Sequence, residues 1–337
     1  GREACRIAGF TFHDSIADVI RELFASRGRT MAENNLQQAM VPKGASIIAQ
    51  TRGTAPGLMC PVLMNGKTKM VYAVPGVPHE MHDMMHRAIL PDLVARSGVQ
   101  AVIASKVLRT WGESESGLNE RLFGVIEELE SVGNPTLAFL ASGWEGIKVR
   151  LTAKAATRPE VVSILDEWEQ KVRAAIGDIV FGVDDDTMES VVLQMLRDRG
   201  LTLGLAESVT GGLVSGRLTN IAGSSDVLRG CVVSYASEVK FDVLGVTNGP
   251  VVSEAAAIEM AKGVQRVLGA SVGLALTGVA GPADQEGLKP GTLCVGLALP
   301  DGTTQSAMLQ LPGNRDTMRQ LSVISALDLL RRALRAF

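Results

Sequence analysis

The sequence predicts an α/β protein, organised as three successive modules of which the last, from about Asp186 onward, alternates strand and helix most regularly. Two observations carry that class. Short apolar runs of strand character alternate with amphipathic helical stretches, which calls for helices packed over a sheet. Several of the apolar runs also end in Gly- or hydroxyl-rich loops, as Ala206-Glu207-Ser208 and Leu276-Thr277-Gly278 do. In sheets of this kind such loops face the ligand crevice.

The 337 residues suffice for two or three domains, each with its own core. The first segment, residues 1–98, opens in helix-like sequence at Arg2–Phe10. It continues with helices over 14–27 and 34–40, a Pro/Gly-punctuated stretch over 41–57, a strand at 70–74 and a helix from His79. With so few strands it reads as part of an α/β domain that cannot close its own core. The second segment, 99–182, is expected to be a small α+β module: strands at 101–108, 136–139 and 146–152, helices at 115–130 and 159–176. Residues 181–186 read as a linker. Asp186 and Glu189 then suggest a capping box at the start of the third segment, 186–337. There, helices at 187–199, 211–218 and 253–268 alternate with strands at 202–206, 231–235, 272–276, 293–299 and 304–309. A final helix from Arg315 carries Val323, Leu327, Leu330 and Leu334 on one stripe.

Composition narrows the function. A net charge of -3 and an aromatic content of 4% offer nothing to a nucleic acid. The apolar runs are too short to span a membrane. Cys5, Cys60, Cys231 and Cys294 show no metal-ligand spacing, and Cys231 and Cys294 read as buried free thiols, as in a reducing cytoplasm. The four histidines, His13, His79, His82 and His86, all lie near one end. His79, His82 and His86 share a helix face where a metal could bind, but a polar exposed face is the preferred reading, and no metal is assigned to the last module.

Chemistry is expected in the third segment. In Ala206-Glu207-Ser208-Val209-Thr210-Gly211-Gly212 a strand ends at a hydroxyl and a Thr-Gly-Gly helix start follows. Glu207, Thr210, Gly211 and Gly212 are taken as substrate-binding, with the helix amides free to hold an anion or an oxyanion. The alternative is that Ser208 or Thr210 only caps the helix. The pattern is neither a nucleophile elbow nor a phosphate loop. A nucleophilic serine needs a base, and without histidine lysine is the next option. The segment has Lys240, Lys262 and Lys289; Lys240 lies just past the 231–235 strand, near Tyr235. A buried lysine can lose its proton near neutrality; the alternative is a solvated loop charge. Thr277-Gly278-Val279-Ala280-Gly281 and Leu311-Pro312-Gly313-Asn314-Arg315 supply two further Gly-rich loops, with Arg315 suited to phosphate.

The runs AESVTGGLVSGRLTNIAGSS, VVSYASEVK, ALTGVAGP with KPGT, and LPGNR occur in this order and resemble the CinA family, specifically its C-terminal nicotinamide-nucleotide amidase domain. VPGVPHEM looks like the family's molybdopterin-binding-like N-terminal domain, and NPTLAFLASGWEGIKVRLTA like its middle domain. The resemblance implies hydrolysis of nicotinamide mononucleotide to nicotinic acid mononucleotide and ammonia, with no cofactor. Ser208 would be the nucleophile, Lys240 the base, and Tyr235 an orienting or proton-relaying group. Thr277, Gly278, Gly281 and Arg315 would hold ribose and phosphate. A pyridine nucleotide is the expected partner, in a cytoplasmic homo-oligomer with neither nucleic acid nor membrane. The alternatives are a non-catalytic nucleotide-binding protein, or ADP-ribose pyrophosphatase activity from a complete N-terminal domain using a divalent metal. The family's Gly-Gly-Leu-Gly-Pro-Thr loop does not occur before Gly1-Arg2-Glu3-Ala4, so the N-terminal domain reads as truncated and little pyrophosphatase activity is expected of these 337 residues.

Overall fold

The computed structural model describes residues 9–26, 28, 30–51, 53–98, 101–141 and 143–337. The chain divides into two compact units, Gly1–Gln100 and Ala101–Phe337. Apart from Gly9 and Phe10, the helix expected over Arg2–Phe10 lies outside the described residues.

In the first unit β1 (Phe10–Phe12) pairs antiparallel with β2 (Met40–Pro42), and α1 (Asp14–Ser26) buries Ile16, Ala17 and Ile20 against Ala39 and Val41. The 34–40 helix is a 3-10 turn, Glu33–Ala39. A three-stranded antiparallel sheet, β3 (Ser46–Ile48), β4 (Gly57–Met64) and β5 (Lys67–Ala73), follows in that order. It leads into α2 (Pro78–Met84) and α3 (Leu90–Ser97), which a π-helical turn joins to each other, with Ile48, Met84 and Ile89 as a second small core. The strand count is therefore higher than the sequence suggested. The missed hairpin turns on Asn65 and Gly66, both at positive φ, as a tight two-residue turn requires.

The second unit opens with a four-stranded antiparallel sheet. Its strands are β6 (Val102–Thr110), β7 (Thr136–Ala141), β8 (Ile147–Ala155) and β9 (Val180–Val183), in the order β7-β8-β6-β9. Helices α4 (Glu115–Arg121), α5 (Phe123–Val132) and α6 (Arg158–Ile176) lie in this part of the chain. One face of α6 packs Val161, Leu165, Trp168, Val172 and Ile176 against Leu108, Val149 and Leu151. The expected linker begins as strand β9, because Phe181 and its neighbours find a sheet edge to pair with.

From residue 187 the chain forms α7 (Met188–Asp198), β10 (Leu203–Glu207), α8 (Leu213–Thr219), β11 (Leu228–Val233), α9 (Ser237–Asp242) and α10 (Glu254–Leu268). It ends with β12 (Val272–Gly278), β13 (Thr292–Ala298), β14 (Thr304–Gln310) and α11 (Arg315–Ala336). The cap of α7 is Thr187, reciprocated by Ser190, not Asp186 with Glu189; Asp186 accepts from Val183 N, and Glu189 pairs with Arg217. The sheet order is β11-β10-β12-β13-β14. Its first three strands are parallel and the last two alternate.

The two faces of this sheet are built differently. Leu203, Leu205, Leu274, Leu276, Val295 and Leu297 form the thick core with Val192 and Leu196 of α7 and with Val323, Leu327, Leu330 and Leu334 of α11. Small residues line the other face, where Ala206, Ala275 and Ala298 meet Ala256, Met260 and Val264 of α10. Gly273 and Gly296 set the separation: a Cβ there would lie 2.0 Å from Ala261 O and 2.1 Å from Ala257 O. Helix α10 therefore rests with its backbone almost on the sheet.

Candidate active site

Strand direction gathers the site. Ser208 follows β10, Tyr235 and Lys240 follow β11, and Thr277 and Gly278 end β12; these strands are adjacent and parallel. Strand β14 runs the same way as β12, so Arg315, just after it, emerges at the same edge. A cleft of about 370 Å³ opens there, lined by Ser208, Val209, Tyr235, Lys240, Thr277, Gly278, Gly281 and Arg315 among others. It sits at the carboxyl ends of the parallel strands, where open α/β sheets bind ligands.

Ser208 is 9% exposed, and its N–H donates to Leu276 O, which ties the first residue after β10 to β12. Lys240 is no surface charge: it lies in α9, is 1% exposed, and donates from Nζ to Ser234 O at 2.8 Å. Burial pushes its amine below the ordinary lysine range, while the charges of Glu286 and Glu238 pull the other way. A neutral amine that donates one N–H still keeps a lone pair to accept a proton. Both groups line the cleft, but the hydrogen bond from Lys240 goes to the Ser234 carbonyl, not to the Ser208 hydroxyl. Lys262 is exposed.

The Tyr235 hydroxyl meets Arg315, not Ser208 or Lys240. Its ring is 60% exposed, and its hydroxyl accepts from Arg315 Nη2 at 2.7 Å. Arg315 also donates from Nη1 to Gly281 O at 3.0 Å, so one guanidinium braces the Gly-rich loop and the phenol together. Arg315 has no carboxylate partner among the described residues, which leaves a positive charge at the rim. Thr277 donates its hydroxyl to Val251 O at 2.8 Å and fixes the cleft wall.

Of the residues expected to bind substrate, Glu207, Thr210, Gly211 and Gly212 do not line this cleft. The Glu207 carboxylate is fully buried and accepts from Gly212 N, Val214 N and Ser215 N at 2.8–3.0 Å. By strand alternation it shares the face of Leu203 and Leu205, where α8 packs. A carboxylate thus already occupies amides at the start of α8. Thr210 is buried and offers its carbonyl to Arg319. Gly211 and Gly212 have φ of 59° and 95°, so they serve the turn. The amides nearest the Ser208 hydroxyl in sequence are those of Val209 and Thr210.

Sequence reasoning missed Val251, Val252, Asp284 and Gln285, which also line the cleft. Their segments carry no local signature; only the topology brings them there.

The thiols are quiet. Burial, with Glu207 alongside, pushes Cys231 up to about 12, and burial pushes Cys294 up to about 11. Cys294 is buried as expected, whereas Cys231 is only partly so. Among the described residues no three or more His, Cys, Asp or Glu side chains are grouped to hold a metal, and no helix is long and apolar enough to cross a membrane.

Comparison with known proteins adds the family. Residues 185–334 match the model of the CinA C-terminal domain, and residues 105–182 that of the damage-inducible protein CinA KH domain. A CinA-like protein of Frankia casuarinae is 44% identical over 99% of this chain and 78% of its own length. One from Nostoc sp. is 37% identical over 95% and 77%. The crystal structure of the competence/damage inducible protein CihA from Agrobacterium tumefaciens is 31% identical, covering 44% of this chain and 93% of its own, with a TM-score of 0.42. With relatives this similar over nearly its whole length, the chain belongs to the CinA family.

Proposed function

We propose that this chain hydrolyses the carboxamide of nicotinamide mononucleotide to nicotinic acid mononucleotide and ammonia, with Ser208 as nucleophile and Lys240 as base. The observation that carries the reading is a buried amine, held below the ordinary lysine range, lining the same cleft as a serine at the end of a parallel strand. The cleft contains no imidazole to take that role.

In this reading Lys240 Nζ takes the Ser208 hydroxyl proton as Oγ bonds to the carboxamide carbon. The carbonyl π electrons move to oxygen, which would take hydrogen bonds from the Val209 and Thr210 amides next to Ser208 in sequence. The intermediate then collapses: the C–N bond breaks, Lys240 returns its proton, and ammonia leaves. Water attacks the resulting Ser208 ester with Lys240 again as base, releasing the carboxylate and restoring the hydroxyl. Ser234 O is well placed to steady the ammonium form of Lys240 between these steps. Arg315 supplies the charge for a 5′-phosphate at the rim.

The test is ammonia release, without added metal, from nicotinamide mononucleotide, nicotinamide riboside and nicotinamide. Release from the mononucleotide in preference to the other two is expected. Binding of the mononucleotide with no ammonia or acid product would leave a nucleotide-binding protein instead.

A further inference from the structure

We propose that Glu286 is a positioning residue, which fastens one wall of the cleft that Lys240 lines; this rests on the reading of Lys240 as the base. The Glu286 carboxylate accepts from Val251 N at 3.0 Å and from Val252 N at 2.9 Å. Both valines line the cleft and are buried. Thr277 holds the Val251 carbonyl from the sheet side. The 251–252 segment is thus clamped from two directions, by a hydroxyl on β12 and by a carboxylate on the loop that follows it.

That loop is exposed, Glu286 included, and it brings Asp284 and Gln285 to the cleft. Glu286 sits at its turn with φ of 52°, a conformation costly for a side chain other than glycine's. Gln285 and Leu288 bridge across the turn. The backbone strain is offset by two charge-assisted hydrogen bonds that only a carboxylate accepts symmetrically.

Glu286 also acts on the amine. Its charge and that of Glu238, on the amine's own helix, favour the ammonium form against the effect of burial. The remaining charged or titratable groups of the cleft are Asp284, Arg315 and the Tyr235 phenol. Removing the Glu286 charge therefore makes the free amine more available at low pH, while loosening the wall beside it.

The two consequences separate in variants Glu286→Gln and Glu286→Asp. Isotope-labelled lysine in the full chain reports the Lys240 titration by NMR without turnover, its signal identified by its absence from Lys240→Ala. In Glu286→Gln, Lys240 is expected to titrate at lower pH than in the unaltered protein. The Val251 and Val252 amides should exchange with solvent at least about tenfold faster. The acid limb of ammonia release should move to lower pH in parallel. In Glu286→Asp, which keeps the charge with a shorter reach, the titration should stay near its original position while amide exchange quickens. This second variant also carries the test should Glu286→Gln not fold. Unchanged exchange of the two amides in folded Glu286→Gln would overturn the proposal, as would faster exchange with the rate and pH dependence of ammonia release unaltered. Faster exchange in a chain that releases no ammonia even when unaltered would instead uphold the wall contact and remove the deamidase reading.

Discussion

Lys240 gives up solvent for a single carbonyl partner, and its proton is the easier to lose for it. Ammonia release is therefore expected to rise with pH through a midpoint below the ordinary lysine range. Replacing either Ser208 or Lys240 by Ala should lower kcat by at least about a thousandfold, with no change in the circular dichroism spectrum. Arg315 has a different role, since it touches Gly281 and Tyr235 at the rim and not the reacting groups. Arg315→Ala is expected to raise KM for the mononucleotide roughly tenfold and to leave turnover of the riboside nearly unchanged, as steady-state kinetics on both substrates will show. The absence of imidazole left Ser208 and Lys240 as candidates, and it was the resemblance to the family that gave them their roles. The direction in which Tyr235 and Glu207 point was not legible. Strand alternation turns Glu207 away from the cleft, and Arg315, far away in sequence, claims the phenol.

At the level of elements, a carboxylate on β10 caps α8. Three amides end on one buried group, so Glu207→Ala should destabilise the domain by roughly 3 kcal/mol, measured as a lowered denaturation midpoint. The close seat of α10 on the sheet yields a second expectation. Gly296→Ala places a methyl about 2.1 Å from Ala257 O and should cost roughly 2 kcal/mol by the same measurement, while an alanine at the open position Gly124 should cost far less. Long elements with a clear period were readable in advance, as the apolar stripe of α11 shows. Short strands were not. Strands β1, β2 and β3 have three residues each, too few to show alternation. The β4–β5 hairpin did leave a trace, the Asn65-Gly66 pair between two apolar runs. Helix α9 is too short for periodicity, which is why Lys240 read as a loop residue.

For the whole molecule, what matters is that β10, β11 and β12 run parallel side by side, so that three separate loops open onto one cleft. The alternation of strands and helices predicted the class, but not the strand order, which depends on long-range pairing. Over 105–182, the segment that matches the KH domain, acidic residues outnumber basic ones, twelve to nine. The account of the cleft meets its most direct test in the pH dependence of ammonia release from nicotinamide mononucleotide by the full chain and by Lys240→Met, which removes the amine but keeps the bulk. It predicts a rise with pH below the ordinary lysine range in the first and near-complete loss at every pH in the second. Comparable activity with an unchanged pH profile in Lys240→Met would contradict it.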